Sequence, residues 1–209
     1  MKRALIFCAG ELNTPVPPPQ SSDLIIAADG GLEHLQPLGL EPDIILGDFD
    51  SLGYIPQNAA VYPVEKDDTD AMLAARRGLE LGCDRFLFYG ALEGPRMDHA
   101  VANFQTLQFL ADRGARGILV GRDTWVTVLK NGTLTLPPLE DGIVSVFCMG
   151  PDAHRVTIRG LKYELDNGTL TAGFPLGVSN HMVGHPVEIT VEQGSLLIFY
   201  PGKAGIPYE

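Results

Sequence analysis

The hydrophobic pattern of this chain changes period near residue 122, and that change restricts the fold more than any other feature. Upstream, short runs such as "ALIFCA", "LIIAAD", "DIILGD", "VYPV", "RFLFYG" and "GILVG" are largely apolar throughout. Strands covered on both faces read this way. Between them, "TDAMLAARRGLELG" and "DHAVANFQTLQFLADRG" read as helices, the second with Val101, Phe104 and Leu107 on one face and Gly114 to close it. Downstream, "WVTVLK", "TLTLPP", "IVSVFCM", "RVTIRGL", "TLTAG", "VEITVEQG" and "SLLIFYP" are short, often alternating, and separated by Gly, Pro and Asn-Gly. The expected architecture is a Rossmann-like α/β sheet domain over residues 1–122, followed by an antiparallel β-sandwich over residues 123–209. No low-complexity linker separates the halves, so a tight join is expected.

A chain of 209 residues can bury a sizeable core without disulfides or structural metal. Its net charge of −11 argues against a binder of nucleic-acid phosphates, which would carry a basic patch. A nucleotide substrate stays possible, because a divalent cation bridges carboxylates to phosphates. Cys8, Cys83 and Cys148 are widely spaced, with no metal-ligand pattern, and suit free thiols in a reducing compartment. The opening "MKRALIFCAG" has too brief an apolar run for a signal peptide and reads as a first strand. No stretch reaches transmembrane length, so a cytoplasmic protein without a membrane partner is expected.

In an open α/β sheet, ligands bind beyond the carboxyl ends of the strands. Acidic residues collect at such ends here. Asp29 closes "LIIAAD" and precedes Gly30 and Gly31, whose missing side chains allow a ligand near the backbone. Asp48 and Asp50 follow the next strand, on one side of an extended chain with Phe49 turned away. Asp67, Asp68 and Asp70 precede a helix, and Arg96, Asp98 and His99 follow "RFLFYG".

Each position also has a purely structural role available. Asp29 can turn the chain before Gly-Gly, and Asp48 can make an Asx turn. Thr69 or Asp68 can cap a helix whose dipole favours Asp70, and Asp98 can cap the next helix. Four acidic loops on one edge nevertheless suit Mg²⁺, which takes one or two carboxylates and fills its remaining positions with water and phosphate. Asp48, Asp50 and Asp70 are the candidate ligands. Arg96, near Gly90 and Gly94, offers a planar fork to phosphate oxygens.

Four segments together resemble the thiamine pyrophosphokinase (thiamine diphosphokinase) family: "ADGGLEHLQPLGLEPDIILGDFDSL", "DDTDAMLA", "GALEGPRMDHAVAN" and "GLKYELDNGTLTAGFPLGVSN". The resemblance covers both expected domains in order. It implies transfer of the diphosphoryl group of ATP to the hydroxyl of thiamine, giving thiamine diphosphate and AMP. It also implies an α/β domain for ATP and Mg²⁺, and a sandwich for thiamine binding and dimerisation. The implied homodimer carries the thiamine site at the subunit interface. Asp48, Asp50 and Asp70 fall where the family holds Mg²⁺ and the ATP phosphates, with Asp29 beside them. Arg96 and Asp98 stand in its loop near the reacting phosphates. Asp70 and Asp98 are the candidate acceptors of the alcohol proton.

On the thiamine side, the resemblance implies Tyr163, where many members have Trp, together with Ser179 and its neighbour Asn180. Lys66 stands where some relatives place an uncharged polar residue that contacts thiamine. The loop "EGPRMDH" departs from the family's GGRxDH, and Pro95 removes a backbone donor there. Two rival readings are a metal-dependent phosphohydrolase and a non-catalytic ATP-binding sensor. Only His99 of the five histidines belongs to the acidic loops, which is sparse imidazole for a two-metal hydrolase. Dinucleotide chemistry lacks its GxGxxG.

Overall fold

A computed structural model describes residues 2–50, 52–65 and 67–207. The chain divides into two compact units, Met1–Arg122 and Asp123–Glu209. The first contains β1 (Arg3–Phe7), β2 (Leu24–Ala28), β3 (Ile44–Gly47), β4 (Ala60–Val61), β5 (Arg85–Tyr89) and β6 (Arg116–Val120). They lie in the order β6-β5-β1-β2-β3-β4, and every pairing is parallel. Ala4 to Phe7 are all buried, as a strand with neighbours on both sides and cover on both faces requires. "VYPV" contributes little strand: β4 ends at Val61, and Tyr62 makes the last ladder-like bond to Gly47 O (2.9 Å). Pro63, with no N–H, cannot continue it.

The helices are α1 (Leu35–Leu38), α2 (Asp70–Glu80) and α3 (Met97–Ala111), with a 3-10 turn at Asp29–His34. Thr69 caps α2 by accepting from Met72 N–H at 3.2 Å. The buried face of α2 is Ala71, Ala74, Ala75 and Gly78, small residues that let the helix lie close to the sheet. A Cβ on Gly78 would sit 2.5 Å from Phe86 Cε1. On α3 the buried face is Asn103, Thr106, Leu107 and Leu110, whereas Val101 is exposed. The apolar spacing alone put Val101, Phe104 and Leu107 inward. Leu107 is buried and Phe104 half-buried as that spacing expects, and the buried face also takes in Asn103, whose Nδ2 donates to Ala91 O at 2.6 Å.

The second unit is antiparallel: β7 (Thr124–Leu136), β8 (Ile143–Cys148), β9 (Ala153–Arg159), β10 (Leu165–Leu170), β11 (Gly177–His181) and β12 (Val187–Pro201). β7 and β12 run together along nearly their whole length. The other edge of β12 is shared, with β9 along Glu188–Gln193 and β8 along Leu196–Phe199. β10 extends β9, and β11 extends β8. Their inward side chains form one apolar cluster that includes Leu134, Val146, Val156, Ile189 and Ile198.

Asn131-Gly132 and Gly194 separate strands in the sequence pattern, but here they do not end them. Asn131 takes a left-handed φ of 45°, its Oδ1 accepts from Gly194 N–H (2.9 Å), and the register shifts between Val191 and Ser195. The result is a bulge that bends two long strands instead of two reversals. Among the described residues, no helix is long and apolar enough to cross a membrane.

Candidate active site in the parallel unit

The chain runs outward from β1 through β2, β3 and β4, then returns to the other flank of β1 as β5. A topological switch point of this kind opens a crevice at the carboxyl ends of the strands. A cleft of about 580 Å³ lies there. Residues 8–10 after β1 and 90–96 after β5 form one part of its wall, together with His99 and Asn103 from α3. Asp29, Asp48, Asp50 and residues 68–71 form the other.

The structure brings Asp29, Asp48 and Asp50 together, each offering a carboxylate oxygen within 4.8 Å of the others. The segment is not extended as the sequence suggested. Phe49 takes a left-handed φ of 61° and is buried, and Asp50 N–H donates to Asp48 Oδ1 at 3.3 Å, an Asx turn. The left-handed backbone at Phe49, with both neighbouring carboxylates in the cleft wall, is a local strain of about 1 kcal/mol or more. Asp29, at φ 49°, is also left-handed as it enters its 3-10 turn. Asp70 lines the same cleft in the first turn of α2. All the donors are oxygens, the set that Mg²⁺ prefers, so these residues fit that ion.

Gly30 and Gly31 do not line the cleft. Gly31 is fixed by the chain itself: a Cβ there would sit 1.9 Å from Phe7 O. Arg96 does line it, and it holds Asp98 in a fork, Nε to Oδ1 at 2.9 Å and Nη2 to Oδ2 at 2.7 Å. Both side chains are exposed. The guanidinium hydrogen bond pulls the Asp98 carboxyl down to about 2 and raises Arg96 further. Asp98 is in the first turn of α3 without capping it, and it is not part of the cleft wall. Burial, and then the charge of Asp70, pushes the Cys8 thiol up to about 12, so it lines the cleft as a neutral group.

Two supports of the 90–96 loop carry no motif signal. Glu93 Oε1 accepts Arg122 N–H at 2.9 Å, and Asn103 grips Ala91 O from α3. A close look at "DHAVAN" could have raised Asn103, because a helix seldom buries an amide without a partner. His34 reaches Gly10 O at 2.8 Å. That second histidine near the crevice therefore serves the backbone.

In the antiparallel unit, Tyr163 is 62% exposed and Ser179 is exposed at φ 59°. Asn180 is buried, with its amide bonded to the backbone on both sides of Tyr163's peptide. Lys66 lies outside the described residues.

Two family models match in order: "Thiamin pyrophosphokinase, catalytic domain" over residues 19–119 and "Thiamin pyrophosphokinase, vitamin B1 binding domain" over residues 133–196. The chain is 29% identical over 184 residues to the thiamine pyrophosphokinase of Bacillus subtilis (strain 168), covering 84% of this chain and 86% of that one. Its fold is similar to the crystal structure of thiamine pyrophosphokinase from Bacillus subtilis, with TM-score 0.83, 25% identity, and coverage of 96% and 99%. A thiamin pyrophosphokinase family protein from Enterococcus faecalis shares the fold at TM-score 0.80 and 23% identity, covering 96% and 99%.

Proposed function

Because the chain belongs to the thiamin pyrophosphokinase family, we propose that it transfers the diphosphoryl group of ATP to the hydroxyl of thiamine. The products are thiamine diphosphate and AMP. The alcohol oxygen bonds to the β-phosphorus while the bond from that phosphorus to the α–β bridging oxygen breaks. The observation that carries this reading is the carboxylate trio Asp29, Asp48 and Asp50 in the cleft of the matched catalytic segment.

Asp48 and Asp50 would hold Mg²⁺, with Asp29 beside them and Asp70 on the adjoining wall. When bound, the ion would supply charge neutralisation for the ATP phosphates. Arg96 uses Nε and Nη2 on Asp98, so Asp98 orients the guanidinium and leaves Nη1 as the donor we assign to a phosphate oxygen. A carboxyl held at about 2 is a weak base at neutral pH. Asp70 lines the cleft and Asp98 does not, so Asp70 is the carboxylate we assign to the alcohol proton. Pro95 gives the loop no N–H, and Arg96 supplies the donors instead.

Thiamine is a flat cation, and an exposed aromatic ring suits it by stacking and cation–π attraction. Tyr163 is that ring, with Ser179 nearby along β11. Support for these assignments is the second family match and the exposure of both residues. We further read the units as a Rossmann-like domain and a β-sandwich, and the enzyme as a cytoplasmic homodimer with thiamine at the subunit interface. The test is product stoichiometry with ATP, Mg²⁺ and thiamine. AMP and thiamine diphosphate in equal amounts are expected; ADP or free phosphate in their place would overturn the proposal in favour of another kinase or a hydrolase.

A further inference from the structure

We propose that Asn180 is a positioning residue that fixes Tyr163 as a pre-set aromatic platform, and that it does not itself bind substrate. The inference rests on the reading of Tyr163 as the thiamine ring contact. Asn180 is 7% exposed. Its Oδ1 accepts two backbone N–H groups, from Tyr163 at 2.9 Å and from His181 at 3.0 Å. Its Nδ2 donates to Tyr163 O at 2.6 Å. An amide oxygen has two lone pairs, and both are used by the chain. No acceptor is left for a ligand, and the second Nδ2 hydrogen belongs to a residue that is itself buried.

The other side of the arrangement is Tyr163 itself. One side chain clamps both its N–H and its C=O, yet the ring projects into solvent at 62% exposure. The residue lies in the irregular segment between β9 and β10, where no ladder fixes the backbone at this position. Flanking bonds hold the same segment: Lys162 N–H to His181 O at 2.9 Å, and Gly160 N–H to Glu164 Oε1 at 2.9 Å.

The local sequence explains how the clamp forms. In β11 the register shifts between Gly177 and Asn180, and Ser179 takes a left-handed φ of 59°. The bulge lets consecutive residues do different work: Ser179 stays exposed, while Asn180 turns inward onto Tyr163. A regular strand would alternate them, but without the bend that aims the amide at the neighbouring segment. Ser179 N–H is bonded to Ser145 Oγ at 3.0 Å, which holds the bulge from β8.

Loosening one residue's backbone corresponds to roughly a tenfold weakening of a contact that needs it fixed. The experiment measures KM for thiamine and for ATP, with kcat and melting temperature, in Tyr163→Ala, Asn180→Ala, Asn180→Asp and the double alanine variant. Asn180→Ala is expected to raise thiamine KM about tenfold, with ATP KM unchanged. Asn180→Asp keeps the acceptor and loses the donor to Tyr163 O, so a smaller rise is expected. The double variant is expected to be no worse than Tyr163→Ala alone, because Asn180 acts through that ring.

A merely structural role would lower melting temperature and active fraction while leaving thiamine KM alone. Unchanged thiamine KM in Asn180→Ala, beside a raised value in Tyr163→Ala, overturns the positioning role. Additive losses in the double variant overturn it as well. If Asn180→Ala does not fold, an unchanged KM in Asn180→Asp is decisive against it. Unchanged thiamine KM in Tyr163→Ala overturns the platform reading instead.

Discussion

Substituting alanine for Gly31 separates two reasons for a glycine after Asp29. The sequence suggested room for a ligand to approach the backbone. The structure gives a different reason, since the new methyl would meet Phe7 O at 1.9 Å, Phe7 C at 2.3 Å and Cys8 N at 2.8 Å. Nonbonded carbons rest ~3.5 Å or more from their neighbours, so the overlap exceeds ~1 Å. The atoms in the way belong to backbone and cannot swing aside. Phe7 is paired with Ala27 on one flank and Tyr89 on the other, and Cys8 N–H is bonded to Tyr89 O at 2.8 Å. Relief must come from moving the 3-10 turn or opening a central ladder.

Overpacking of this severity costs about 3 kcal/mol or more. For a chain of this size that lowers the melting temperature by roughly 6–12 °C. Thermal denaturation followed by circular dichroism, without nucleotide, is the assay. Gly173→Ala is the control, because a Cβ there meets nothing within 4 Å. A Gly31→Ala melting temperature equal to wild type, with only ATP KM raised, would refute the packing argument and restore the ligand-approach reason.

Asp48→Asn and Asp50→Asn should each lose turnover on the order of 100-fold or more while keeping the wild-type circular dichroism spectrum; near-normal activity in both removes them from the metal role. Asp98, held at about 2 by Arg96, should titrate near that value by NMR and return toward ~3.9 in Arg96→Gln. Because its folded pKa is depressed, the pair's contribution is complete above the unfolded value and is lost as pH falls through about 2; a normal midpoint in wild type contradicts the pairing. Cys8, pushed up to about 12, should resist iodoacetamide at pH 8 in the native protein and react once it is unfolded; rapid native labelling of Cys8 would show that the thiol is not buried as described.

The strands of the first unit were legible because both faces are covered, so "LIIAA" and "RFLFY" are apolar without interruption. The carboxylates were legible too, since the carboxyl-end rule needs only strand ends and acidic residues. What was not legible depends on backbone twists and long-range bonds. The turn at Asp29–His34 has no apolar period, and α1 contains Pro37. Asn131-Gly132 reads as a reversal, yet its side chain bonds Gly194 across the ladder and turns it into a bulge. The closeness of Asp29 to Asp48 and Asp50 needs parallel pairing of β2 with β3 and left-handed backbone at Asp29 and Phe49. The hydrogen bonds of Asn180 to the backbone of Tyr163 join segments 17 residues apart, and no local pattern in the sequence signals them.

In the proposed reaction two phosphoryl groups leave ATP together, onto thiamine. The most direct measurement follows isotopically labelled β- and γ-phosphorus of ATP through one reaction with thiamine and Mg²⁺. Both labels are expected in thiamine diphosphate in equal amounts, with unlabelled AMP as the other product. A γ label in free phosphate or thiamine monophosphate, with the β label left in ADP, would contradict diphosphoryl transfer.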